Sequence, residues 1–299
     1  PCQLYINGEW KGVFNFNHDK SCSKSLGMET IDDTVRWEIK ANSDTSTGAF
    51  CKTWADGDIE DCYTEILKDF EIVFDEDAFE ENSGTYDLTK FYDELGFAYT
   101  GEAVYGGYKD FAILILARAI QFVDGCEDEE EWQENIGKYI NIPQASRYYL
   151  HTMTSMLIDN FAKNCILVFY GQDSPGYFSF YDLDSGYGLN NTGYMVNECD
   201  IEPSHPGVYN CATSKMWVKL FNYSNDDLYN EFKAMREGKY TYENFCKYLV
   251  EEQINRIPII LYNRDMYQKY ISQGRTYLHM LHGNSKAYLT KLLYDRFQY

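Results

Sequence analysis

Between Leu157 and Gly188 the chain reads LIDNFAKNCILVFYGQDSPGYFSFYDLDSGYG, and this stretch constrains the fold more than any other. Two short runs, 165–170 (CILVFY) and 177–181 (YFSFY), are rich in the β-branched and aromatic residues that suit a buried pleated surface. The segment between them, 171–176, holds Gly, Asp, Ser and Pro, which supply turn geometry. The two runs therefore read as a β-hairpin. A helix is expected ahead of them, from Pro143 in its first turn to about Ile158. This layout puts Asp159 and Asn164 in the loop between helix and first strand. It delivers Asp182 and Asp184 at the end of the second strand, with Gly186 and Gly188 beyond.

The rest of the chain divides by hydrophobic period. In residues 2–17 two alternating runs flank Asn7-Gly8, a strong signal for a two-residue hairpin turn. Strands are expected at 35–41 (VRWEIKA) and 70–74 (FEIVF), with polar loops between and after them at 42–48 and 75–84. Residues 1–85 thus read as an antiparallel β-rich lobe. Helical patterning follows. Asp87 is a candidate cap, 108–122 carries a dense apolar face, and 127–139 is an acidic amphipathic helix. From Thr213 the chain reads as helix to its end, broken at Gly238 and near Pro258 and Gly274. The expected class is α+β, with a β-rich N-lobe (1–85) and a mainly helical C-lobe (86–299) that holds the hairpin. No low-complexity linker separates the two, so they are expected to form one unit.

Charge narrows the partners. Lys and Arg number 26 against 47 Asp and Glu, a net −21. Binding nucleic acid or an anionic membrane needs clustered cations, so both are set aside. The longest apolar run, 111–123, falls short of the ~20 residues that span a bilayer and contains Arg118. Nine cysteines are scattered in odd number without a CxxC pair, which argues against a zinc ribbon or a disulfide framework. The expected setting is soluble and reducing, in a bacterial cytoplasm or an assembled particle. The sequence opens at Pro1 and reads as part of a longer protein.

The residues around the hairpin suit phosphoryl transfer. That reaction needs a carboxylate to orient an attacking hydroxyl, and an amide oxygen and a second carboxylate to hold magnesium against phosphates. Asp159 and Asn164 have the D-x-x-x-x-N spacing of the protein-kinase catalytic loop. The return strand ends in an acidic residue, as the kinase metal-binding segment does. Asp159, Asn164 and Asp182 thus supply the residue types this chemistry needs, and their hard oxygen donors suit Mg²⁺ or Mn²⁺. No G-x-G-x-x-G loop is present, and Ile158 stands before Asp159 in place of the usual His-Arg pair. The phosphate-contacting lysine is left between Lys20 and Lys40.

These residues resemble the signature of the CotH kinase family, the spore-coat protein H-like atypical kinases. Tyr181-Asp182-Leu183-Asp184 followed by Gly188 is similar to that family's aromatic-Asp-x-Asp segment. The opening LYINGEWKGVF resembles its early hairpin. The likeness covers roughly 2–20 and 140–299, while 42–140 match weakly and read as insertions. It implies a protein-kinase-like two-lobed fold with ATP and Mg²⁺ between the lobes, Asp159 as catalytic carboxylate, Asn164 and Asp182 as metal ligands, and Asp184 as a second candidate ligand. Two functions follow from it. One is an active kinase phosphorylating protein Ser or Thr. The other is a structural module of a bacteriophage virion, where the acidic, Tyr-rich surface would meet assembly partners.

Overall fold

The computed structural model describes residues 2–14, 34–40, 50–73, 86–102, 104–155, 157–161, 164–183, 214–248 and 251. Strands β1 (Cys2–Ile6) and β2 (Glu9–Phe14) pair antiparallel as a two-stranded sheet of their own. Asn7 (φ 53°) and Gly8 (φ 80°) close it. Both central residues have the positive φ that a strand-matching two-residue turn requires.

The main sheet has four antiparallel strands. They are β3 (Val35–Ile39), β4 (Phe70–Ile72), β5 (Cys165–Phe169) and β6 (Tyr177–Phe180), in the order β4-β3-β5-β6. The expected hairpin β5–β6 is present, and β3 lies along its inner strand with Val35 opposite Phe169 and Glu38 opposite Ile166. One sheet thus draws strands from both sides of the boundary expected at 85/86. The reason is burial. Every residue of β3 and of β5 is buried, so each strand needs a neighbour on both edges and cover on both faces.

The first segment also contains a helix that the strand-rich reading passed over, α1 (Ile59–Asp69). Its signals are conventional. The Asp58 carboxylate accepts from the Asp61 amide at 3.0 Å, and Ile59, Cys62, Tyr63 and Ile66 share one face. Helix α2 (Thr89–Leu95) follows, with Asp87 accepting from the Thr89 amide and Gly96 ending it in the left-handed conformation.

Helix α3 (Gly107–Gly125) is buried almost all round and forms the centre of the core. Two of its buried residues are charged, and each is held. Asp110 accepts from the amides of Val104 and Tyr105 at 3.0 and 3.1 Å. Arg118 donates to the Gln172 carbonyl at 2.7 Å. The acidic helix is shorter than expected. It comprises α4 (Glu129–Asn135) and a 3-10 turn (Ile136–Lys138). Helix α5 (Ile142–Ser155) carries Pro143 in its first turn. The next helical stretch breaks at Ser224 as well as at Gly238, giving α6 (Lys215–Tyr223), α7 (Asn225–Glu237) and a helix over 242–248. The breaks expected near Pro258 and Gly274 lie outside the described residues.

Three fully buried tryptophans join these layers, and each indole N–H has a partner. Trp37 of β3 donates to Ala112 O of α3 at 3.0 Å, and Trp132 of α4 to Ser224 Oγ at 2.9 Å. Trp217 of α6 donates to Phe161 O at 2.9 Å. The third bond reaches the turn that carries the candidate site.

Candidate functional site

After α5 the chain turns tightly. The Leu157 amide bonds back to Thr152 O at 3.0 Å, and residues Ile158–Phe161 form a 3-10 turn holding Asp159 and Asn160. The chain then enters β5 just after Asn164. Because β6 runs antiparallel with Phe180 opposite Cys165, its exit brings Tyr181 and Asp182 back beside Asn164. The Tyr181 amide donates to Asn164 O at 3.2 Å and extends the ladder by one rung.

Backbone geometry separates two residues of this end from their surroundings. Asn164 has φ 54° and Asp182 has φ 51°. Among the described residues the only other non-glycine at positive φ is Asn7, in the β1–β2 turn. The left-handed region is costly for a residue with a Cβ, and Asn and Asp tolerate it best. A pair of such residues held side by side, outside a hairpin turn, marks a place where the surrounding structure enforces conformation.

Between them lies Asn160, which is fully buried. Its Nδ2 donates to Asn164 O at 2.8 Å and to Tyr181 O at 2.9 Å. One amide therefore ties the residue that opens β5 to the residue that precedes Asp182. Asn160 is itself pinned, since its carbonyl accepts from the buried Tyr148 hydroxyl of α5 at 2.7 Å. Tyr148 stacks between Phe180 (centroids 4.2 Å apart) and Trp217 (5.6 Å). Burial raises the Tyr148 pKa well above its usual value, so the hydroxyl stays a donor. Cys165, beneath the same turn, is pushed up to about 12 by burial and is an inert thiol.

Of the residues singled out in the sequence, Asn164 and Asp182 are brought together at one end of the sheet, and Asp182 is exposed there. Asp159 lies in the adjoining 3-10 turn, with its side chain outside the described residues. Lys20 and Asp184 lie outside them as well. Lys40 follows β3, whose C-terminal end lies beside the start of β5, so the fold places it at this same end of the sheet. Its ammonium donates to Leu67 O at 2.9 Å and its amide to Asp69 O at 2.8 Å, which fastens β3 to the last turn of α1. Asn160 was passed over because it is uncharged and off the D-x-x-x-x-N spacing. Its one sequence signal is an amide in a tight turn between a buried helix and a buried strand.

Among the described residues no group of three or more His, Cys, Asp or Glu is gathered to hold a metal with protein ligands alone. A magnesium–nucleotide site needs fewer, because phosphate oxygens and water complete the shell. Asn164 and Asp182, whose backbones meet at one sheet end, carry oxygen donors of the type such an ion takes. Among the described residues Cys62, Cys126, Cys165 and Cys246 are free thiols, and the side chains of Cys2, Cys22, Cys199 and Cys211 lie outside the described residues. No helix among the described residues is long and apolar enough to cross a membrane.

The family described as CotH kinase protein matches residues 97–286, more than half of the chain, and the chain belongs to that family. The matched region contains α3 to α7, the 3-10 turn of Asp159 and the hairpin ending at Asp182. It also takes in 97–140, expected to be insertion, so those residues are part of the family region. The β1–β2 hairpin, which resembles the family's opening, precedes the matched range. No curated protein matches the chain. Membership places the chain in a kinase-like class of protein.

Proposed function

We propose that this domain binds Mg-ATP at the sheet end formed by Lys40, Asn164 and Asp182 and transfers the γ-phosphate to a Ser or Thr hydroxyl of a protein. The observation that carries this reading is the left-handed backbone shared by Asn164 and Asp182. Strain of this kind persists where a side chain has to be aimed, and these two residues carry the oxygens a magnesium ion takes. Asn164 and Asp182 would hold the ion, with Asp184 as a further carboxylate. When bound, magnesium neutralises charge on the phosphate oxygens. Lys40, which follows β3 at this end of the sheet, would be the phosphate-contacting cation, with a phosphate oxygen replacing the Leu67 carbonyl as its acceptor. Lys20 is the alternative cation.

Asp159 would orient the acceptor hydroxyl and take its proton. The hydroxyl oxygen bonds to the γ-phosphorus as the bond to the β–γ bridging oxygen breaks, and ADP leaves. The test is titration calorimetry of ATP with and without Mg²⁺, beside transfer of labelled phosphate to the protein itself and to a Ser/Thr-rich acceptor. Magnesium-dependent binding, lost in Asp182→Asn, and label on a hydroxyl are expected. Binding without transfer would leave a nucleotide sensor. No binding at all would make the fold an architectural module, as in a virion assembly, and would overturn the proposal.

A further inference from the structure

We infer that Asn160 is the positioning residue of this site, setting its affinity for magnesium without touching metal or nucleotide; the inference rests on the function proposed above. Its two donor bonds, at 2.8 and 2.9 Å, end on the carbonyls of Asn164 and Tyr181. The first carbonyl belongs to one proposed ligand residue. The second belongs to the peptide unit whose other end is the amide of the other, Asp182. Both ligand residues sit in a backbone region they would leave if released (φ 54° and 51°). A planar amide with two N–H groups can hold two carbonyls a fixed distance apart without bringing in a charge. A hydroxyl has one donor, and a carboxylate has none and would face two oxygens.

The remaining atom of this amide shows that its two donor bonds are kept at a cost. Asn160 Oδ1 is buried and has no hydrogen-bond partner among the described residues. An unsatisfied buried acceptor costs about 1–3 kcal/mol. An apolar residue would relieve that acceptor but would withdraw the donor from the Asn164 and Tyr181 carbonyls. Its retention is explained if the two donors are needed where they are. Tyr148 below and the Trp217–Phe161 bond beside it hold the turn, so the amide is braced from two helices. Groups that orient metal ligands from behind behave in this way, and removing one typically lowers metal affinity about 10–100-fold.

The test is the Mg²⁺ concentration that half-saturates ATP binding, measured by calorimetry with a thermal melt on each protein. Asn160→Asp keeps the shape and removes both donors; Asn160→Ser keeps one donor. We expect the half-saturating Mg²⁺ to rise about 10–100-fold in Asn160→Asp and by less in Asn160→Ser, with ATP binding recovered at high Mg²⁺. Either folded variant with the wild-type Mg²⁺ requirement overturns the inference, even if its melting temperature has dropped, since that is the signature of a structural role. If Asn160→Asp does not fold, Asn160→Ser decides. A wild-type protein that shows no magnesium-dependent ATP binding sinks the proposed function itself. Wild-type binding abolished by Asp182→Asn but unmoved by Asn160 variants sinks this inference alone.

Discussion

The hairpin β5–β6 has two ends, and they are built on different terms. At its turn, glycine takes the positive φ (Gly171, 134°), and the backbone is fastened to both neighbouring layers. Gly176 exchanges bonds with Tyr139 O (2.8 Å) and the Asn141 amide (2.9 Å), Arg118 holds Gln172, and Lys90 pairs with Asp173 at 2.5 Å. A Cβ on Gly176 would stand 2.8 Å from Leu167 Cδ1, so the turn lies against the buried strand as closely as a chain can. At the open end, Asn and Asp take the positive φ and one neutral amide holds them. Each end leaves one buried side-chain atom without a partner, Arg118 Nε and Asn160 Oδ1. The difference is where the strain lies. The turn end uses glycine and anchors, which is what stability alone asks for. The open end keeps side chains where glycine would be easier, as the proposed site would require.

The largest expected effect tests whether the open end does chemistry. Asp159→Asn should lower phosphate transfer about 10²–10⁴-fold, the usual contribution of a general base, while magnesium-dependent ATP binding stays near wild type. Single-turnover transfer of labelled phosphate together with calorimetry reads both quantities. Loss of binding in step with transfer would place Asp159 on the nucleotide, not on the acceptor hydroxyl.

Next in size is the turn. Arg118→Ala removes the bond to Gln172, the contact with Glu94 at 3.7 Å and a guanidinium packed over the Phe91 ring. It leaves a hole in the core, for a loss of about 3 kcal/mol in denaturant unfolding. Well below the melting midpoint, ATP affinity should be little changed, because the open end has its own anchors. A variant that lost nucleotide but not stability would show that the two ends are not separable.

A third substitution compares strain directly. Asp182→Ala and Asp182→Gly both remove the carboxylate, so both should lose magnesium-dependent binding. They differ in what φ 51° costs. Alanine resists the left-handed region and glycine does not, so Asp182→Gly should be the more stable of the two by about 1 kcal/mol. Equal unfolding midpoints would mean that the backbone relaxes and that no strain is held there.

How much of this was legible in the sequence depends on the range of the interactions. The hairpin, α3 and α5 were readable because apolar runs, turn residues and Pro143 act over a few positions. Helix α1 was readable too, from Asp58 and the spacing of Ile59, Cys62, Tyr63 and Ile66, but it was masked by the strands on either side. The pairing of β3 with β5 was not. It joins residues more than a hundred positions apart, and burial on both faces, not a local motif, chooses the partner. The site divides in the same way. Asn164 and Asp182 were visible as oxygen donors at suggestive places. Asn160 was not, because its function is a bond to a carbonyl 21 residues onward that only the finished hairpin brings near. A buried amide has no charge, period or spacing by which a sequence announces it.

The smallest expected effect lies in the Lys90–Asp173 pair at the turn. Its side chains are 45% and 79% exposed, so solvent screens it and side-chain entropy opposes it. The Lys90 ammonium, by hydrogen bond and then by charge, holds the Asp173 carboxyl below its ordinary value. The sign follows from linkage. A carboxyl whose pKa is depressed in the folded state adds stability above its unfolded value, about 3.9, and loses it as the pH falls through the folded value. Lys90→Ala should therefore cost less than about 0.5 kcal/mol at neutral pH and low salt. The cost should shrink further near 1 M salt, where the screening length is about 3 Å, and fall away as the pH drops below the unfolded value, about 3.9, and through the folded one. Urea unfolding of wild type and variant at two salt concentrations and two pH values reads all of this. A loss above about 1 kcal/mol that salt does not reduce would mean that Lys90 contributes by packing its stem against the turn, and the charge would no longer explain this anchor.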